Sequence, residues 1–109
     1  MATIKFTYDG KDYALGFNRR TAESLSDSGF TLDKYADDVI GYRGRLFDGS
    51  FVMNHRMTNH ATINEIWKHL PNKTEVMEAL VNMYVEAVNT IWEEPDDGDE
   101  KKVEWEVVK

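Results

Sequence analysis

Apolar residues fall on every second position through Ile4, Phe6 and Tyr8, and again through Tyr13, Leu15 and Phe17, with Asp9-Gly10 between the two runs. An Asp-Gly pair flanked by alternating runs predicts a β-hairpin closed by a two-residue turn. The turn sets the register: Tyr8 opposite Lys11, Phe6 opposite Tyr13, Ile4 opposite Leu15 and Ala2 opposite Phe17. Ile4, Phe6, Tyr8, Tyr13, Leu15 and Phe17 then share one face, and Thr3, Lys5, Thr7, Asp12 and Ala14 the other. Two strands with one apolar face are marginal in water, so the hairpin must pack on something.

Beyond Phe17 the apolar spacing changes to that of helices. Asn18 is placed to cap a helix over about residues 19–28, with Gly29 as its stop. Thr31 caps a second short segment, and Phe30 and Tyr35 form a hydrophobic staple across its start. Residues 39–56 read as one helix weakened by Gly41, Gly44 and Gly49. Thr62 and Glu65 make a capping box, Ala61 and Ile66 a staple, and Ile63, Ile66, Trp67 and Leu70 follow helical spacing up to Pro71. Asn72 and Glu75 repeat the capping pattern and open the longest helix, about 73–92. Its polar positions, Glu75, Glu78, Asn82, Glu86, Asn89 and Glu93, form a narrow stripe, and the wide apolar remainder predicts cover on more than one side.

Glu93–Asp99 is a charged loop broken by Pro95 and Gly98, and Val103, Trp105 and Val107 then alternate with Glu104 and Glu106. The alternation predicts a short strand. Residues 93–109 carry eight acids and three lysines, whereas residues 1–20 carry four basic and two acidic residues, so the strand is expected to join the hairpin. The predicted fold is one α+β domain over residues 1–109. It comprises a hairpin (1–17), a body of about four helices (18–92), an acidic linker (93–102) and a C-terminal strand (103–108).

Charge and composition narrow the function classes. Thirteen Lys and Arg against twenty Asp and Glu give a net charge of −7 over 109 residues, which disfavours nonspecific nucleic-acid binding. The absence of cysteine excludes disulfides, thiol catalysis and Cys-type zinc sites. No run approaches the roughly 18–20 apolar residues of a membrane span, and no targeting segment is expected. His55, His60 and His69 lack metal-motif spacing, and Asp96–Glu100 fails the calcium-loop order because Pro95 occupies a ligand position. Ser50, in Asp48-Gly49-Ser50-Phe51, is not in a nucleophile elbow, and no phosphate-binding glycine loop occurs. Arg43, Arg45 and Arg56 all fall within the predicted 39–56 helix as a candidate nucleic-acid patch but sit in an acidic protein, where surface ion pairs are the ordinary role. The expectation is a non-enzymatic protein with no cofactor and no metal.

The order and spacing of several segments carry a resemblance: Ile4–Tyr13, Phe17–Thr21, Gly29-Phe30, Leu46-Phe47 with Gly49, Phe51 and His55, then Ile63 with Glu65-Ile66-Trp67, Leu70–Lys73, Leu80 with Met83-Tyr84, Glu93-Glu94-Pro95 and Trp105. Together they span nearly the whole chain. In them the sequence resembles a family of small uncharacterised proteins of tailed phages and prophages of Gram-positive bacteria, similar to the tail assembly chaperones of long-tailed phages. The chain departs from that pattern at Gly41-Tyr42-Arg43-Gly44-Arg45, where the family carries a more apolar, proline-bearing run. The resemblance implies a chaperone that binds the tape-measure protein and helps recruit tail-tube subunits. It further implies action in the host bacterial cytoplasm, absence from the mature virion, and no catalytic residues.

A partner surface is expected on Met83, Tyr84, Val88 and Trp92 of the long helix, together with Leu46, Phe47 and Phe51. Adaptable methionines (Met53, Met57, Met77 and Met83) suit such a surface. The expected partners are phage structural proteins and a second copy of the chain, without nucleic acid or membrane. The alternative is an acidic inhibitor or nucleic-acid mimic that binds a host protein through the carboxylates of the tail.

Overall fold

The Asp9-Gly10 turn forms with both residues at positive φ, 50° and 76°, the backbone of a type I′ turn. It joins β1 (Ile4–Tyr8) to β2 (Lys11–Leu15). The antiparallel register is the predicted one, from Tyr8 opposite Lys11 to Ile4 opposite Leu15. The ladder stops there, short of the predicted Ala2–Phe17 pair, because Gly16 donates its N–H to the Ser50 carbonyl at 3.1 Å. The computed structural model describes residues 2–108; Met1, the first residue of the predicted hairpin segment, and Lys109 lie outside the described residues.

Six α-helices follow among the described residues: α1 (Arg19–Asp27), α2 (Leu32–Asp37), α3 (Val39–Gly49), α4 (Val52–His55), α5 (His60–His69) and α6 (Lys73–Asn89). Local chemistry accounts for most of their ends. Asn18 and Thr21 form a reciprocal capping box on α1. At its other end Gly29 adopts φ 101°, and Gly29 and Phe30 donate back to Ser26 and Leu25, which satisfies the last carbonyls. Thr31 and Asp38 cap α2 and α3.

Three predicted helix limits are corrected. The helix expected over 39–56 divides at Ser50-Phe51, because Ser50 is buried, its hydroxyl is bonded to the Phe47 carbonyl, and its own carbonyl holds Gly16. Helix α5 starts two residues before Thr62, because the Asn59 side chain accepts from the Thr62 N–H at 2.8 Å and takes the capping role expected of Thr62. Asn72 precedes α6 in the left-handed conformation with no side-chain cap bond, and α6 tightens into a 3₁₀ turn over Thr90–Trp92.

Helix α6 is the centre of the fold. Met77, Leu80, Tyr84 and Ala87 are buried at steps of three and four, with Met83 beside them, while Glu75, Glu78, Asn82 and Glu86 face solvent. Four fully buried phenylalanines surround it: Phe17, Phe30, Phe47 and Phe51. Their rings meet mostly edge to face, Phe30 on Tyr84 at 5.2 Å, Phe17 on Tyr84 at 5.6 Å and Phe47 on Phe51 at 5.3 Å. Such pairs contribute about 0.5–1.5 kcal/mol each beyond their buried area. The hairpin closes one side through Tyr13 and Leu15.

The predicted C-terminal strand over 103–108 is not formed: the only sheet among the described residues is the two-stranded β1–β2 hairpin. Residues 93–108 are exposed and contain turns, such as Asp99 N–H to the Asp96 carbonyl, but no helix or strand. The radius of gyration is 16.8 Å, against about 13 Å for a compact domain of this length, because this segment stands off the body.

Candidate functional site

Pro71 ends α5 and forces Leu70 into an extended conformation, so α5 and α6 meet at a corner. Trp67 occupies this corner. One edge of its indole packs against the buried Phe47 ring at 5.0 Å and 68°. The Arg43 guanidinium lies 4.3 Å from the indole centroid and the Lys73 ammonium 5.6 Å from it. Lys73 is held there by donating to the Leu70 carbonyl at 2.7 Å. Each cation–π contact stabilises by about 0.5–1 kcal/mol at an exposed site and more when water is removed.

Beside Trp67 runs an open groove of about 630 Å³. Met77 and Val81 of α6 line it at i and i+4, as do Val39 and Arg43 of α3, and Tyr35 of α2 also belongs to its lining. An open groove lined by apolar side chains of two helices is a geometry that can accept a third amphipathic helix. Its charged groups are Arg43, Lys73 and Glu78. A second, smaller groove of about 430 Å³ follows the C-terminal half of α6 between Phe30, Leu32, Tyr84 and Val88.

The residues expected at a partner surface divide sharply. Leu46, Phe47, Phe51, Met83 and Tyr84 are buried in the core, and the Tyr84 hydroxyl is bonded to Ser26. Their side chains face the body of the protein rather than a partner, because the hairpin, α1 and α5 already cover them. Val88 is half-buried along the second groove, and Trp92 is 80% exposed just beyond α6. The sequence reading placed Trp67 in a core stripe and Arg43 in an arginine patch, and missed their contact. The three arginines take separate paths: Arg45 donates to the Ser28 carbonyl at 2.9 Å, Arg43 covers Trp67, and Arg56 is exposed.

The histidines are equally dispersed. His60 contacts Asp48 at 3.0 Å, His69 lies near Glu65 and Tyr8, and His55 accepts the Ala14 N–H through Nε2 at 2.9 Å. Among the described residues no cluster of three His, Asp or Glu side chains is arranged to hold a metal ion. No helix among them is long and apolar enough to cross a membrane.

Burial, and secondarily the Lys11 ammonium, lowers the pKa of His55 from its ordinary 6.5. The folded state therefore favours the neutral ring that accepts from Ala14. The unfolded chain takes up the proton first, so this contribution is complete above pH 6.5 and declines as the pH falls through the lowered folded value. Asp48, raised from 3.8 by burial against the pull of His60 and Arg43, acts in the opposite sense in a more acidic window. The thermal midpoint is expected to fall as the pH is taken below 6.5. His55→Gln, whose amide oxygen can accept the same N–H, is expected to flatten that slope; an unchanged slope would show that His55 does not cause it.

A family model described as a domain of unknown function (DUF5055) matches residues 1–108. No curated protein and no solved structure matches the chain. With the match covering the hairpin, all six helices and the acidic tail, the chain belongs to the DUF5055 family.

Proposed function

We propose that this protein is a non-enzymatic assembly chaperone that holds an apolar helical segment of a larger client. The phage resemblance points to the tape-measure protein as client, kept dispersed until tail-tube subunits assemble around it. The observation that carries this reading is the open groove between the α3 and α6 ridges, with Trp67 half-buried at its end. A client helix laid there removes from water the apolar sides of Val39, Met77 and Val81, and its own apolar stripe. The net charge of −7 keeps a loaded complex apart from its neighbours. In this reading the protein acts in the host bacterial cytoplasm and leaves the finished virion. The acidic-mimic alternative needs carboxylates fixed on a folded face, whereas the acids of 93–108 lie on a segment without helix or strand.

The test is co-purification and calorimetry with tape-measure segments. Val39→Asp with Val81→Asp places two charges in the groove, the second at a half-buried position packed against the core, and client affinity is expected to fall at least about tenfold, the equivalent of 1.4 kcal/mol. Val39→Asp alone, at a 48% exposed position, keeps the fold and is expected to give a smaller loss in the same direction. Undiminished binding by the folded variants would remove the groove from the client site.

A further inference from the structure

The hairpin has one covered edge and one open edge. In a ladder closed by a two-residue turn, Tyr8, Phe6 and Ile4 exchange hydrogen bonds with β2, so the N–H and C=O groups of Lys5 and Thr7 point outward from β1. The equivalent outward groups of Ala14 on β2 are taken by α4: His55 accepts its N–H at 2.9 Å and Asn54 donates to its carbonyl at 3.2 Å. Among the described residues nothing bonds the outward backbone groups of Lys5 and Thr7. Burial follows the same asymmetry. Tyr13 and Leu15 of β2 are buried, whereas Ile4, Phe6 and Tyr8, on the same face of β1, are only half-buried: His69 stacks on Tyr8, but among the described residues no strand pairs beyond them.

The chain also carries an unpaired segment suited to that edge. Val103, Trp105 and Val107 are 77%, 79% and 69% exposed and alternate with Glu104 and Glu106. We propose that residues 103–108 of one copy add as a third strand to β1 of a second copy, and reciprocally, giving a closed two-fold dimer. Placing Trp105 beside Phe6 sets Val103 and Val107 beside Ile4 and Tyr8, in either strand direction, and completes the half-covered face. The same register sets Glu104 and Glu106 on the face of Lys5 and Thr7, so one glutamate lies beside Lys5 in either direction. Charge favours the pairing beyond this contact, since residues 93–109 carry net −5 and residues 1–20 net +2. A second copy is the occupant because the chain's own tail stands off the body while its own β1 edge stays open. The reciprocal exchange uses the same two surfaces twice, as a two-fold dimer requires. Pairing also removes an exposed strand edge, a site of uncontrolled association.

The experiment measures mass by sedimentation equilibrium over a wide concentration range, with hydrogen exchange at the Lys5 and Thr7 amides. The full chain is expected to be a dimer with both amides protected. A chain ending at Trp92 retains every buried core residue, and is expected to be a folded monomer with both amides exchanging freely. Trp105→Glu is expected to abolish the dimer, and Lys5→Glu to raise its dissociation constant about tenfold, since both copies lose the pair. Adding Glu104→Lys and Glu106→Lys to Lys5→Glu restores opposite charges and is expected to recover most of the affinity. A full chain that stays monomeric overturns the proposal, including a monomer whose own tail protects Lys5 and Thr7. A dimer that survives truncation at Trp92 overturns it too. Client binding in the α3–α6 groove is expected to persist in Trp105→Glu, so the two proposals fail separately.

Discussion

Replacing Phe47 by alanine is expected to cost about 3–5 kcal/mol of folding stability, the range for truncating a fully buried aromatic side chain. Phe47 is 1% exposed and stands between two rings, Phe51 at 5.3 Å and Trp67 at 5.0 Å. Neither neighbour collapses easily into the vacated space: Phe51 is held against Tyr13, and Trp67 by Arg43 and Lys73. A domain of this size has only about 5–15 kcal/mol in total, so the variant sits near the limit of folding. Each kcal/mol lowers the thermal midpoint by roughly 4–8 °C. The effect extends to the groove, because Phe47 supports the inner edge of the indole that closes its end. Urea unfolding of the variant measures the loss. A loss below about 1 kcal/mol would show that Phe47 is not a core support.

The hairpin and several helix starts were legible because their signals are local. Asp9-Gly10 and the flanking alternation state the register twice over, and Asn18 and Thr31 cap the helices they immediately precede. The break within 39–56 was hidden because its cause is tertiary: the Ser50 carbonyl bonds Gly16, thirty-odd positions away in a strand exit. The start of α5 was ambiguous because Asn59 and Thr62 both head plausible capping patterns, and the backbone chose the earlier one. Alternation over 103–108 predicts a strand that does not form, because a strand also needs an edge within reach to pair with, which alternation does not encode.

The candidate site was less legible than the fold. Periodicity showed that α6 is apolar over most of its circumference but not which part the other elements cover. Tyr84 and Met83 face inward and Val81 and Val88 border grooves, a difference of two to five positions on one helix. The Arg43–Trp67 contact joins residues of α3 and α5 and has no local sequence signal. Within the Gly41–Arg45 run, Arg43 lines the groove and Arg45 ties α3 to the end of α1.

Gly10→Val isolates backbone conformation from packing. Gly10 has φ 76°, and a Cβ built on it would meet nothing within 4 Å, so any loss arises from the turn rather than from a clash with the body. A β-branched residue rarely adopts positive φ, and holding one there costs about 1–3 kcal/mol. Relief by a different turn would shift the register by a residue and carry Tyr13 and Leu15 from the core face to solvent. The chain is therefore expected to keep the turn and lose about 2–3 kcal/mol, measurable as a lower urea midpoint with an unchanged slope. Gly10→Asn, a residue tolerant of the left-handed region, is expected to lose less than half as much. Equal losses for Val and Asn would point to a side-chain effect, and no loss for Val would show that the strands are not joined by a type I′ turn. Because Lys5 and Thr7 lie on the strand this turn positions, the valine variant is also expected to loosen any pairing at the open β1 edge before it disturbs α6.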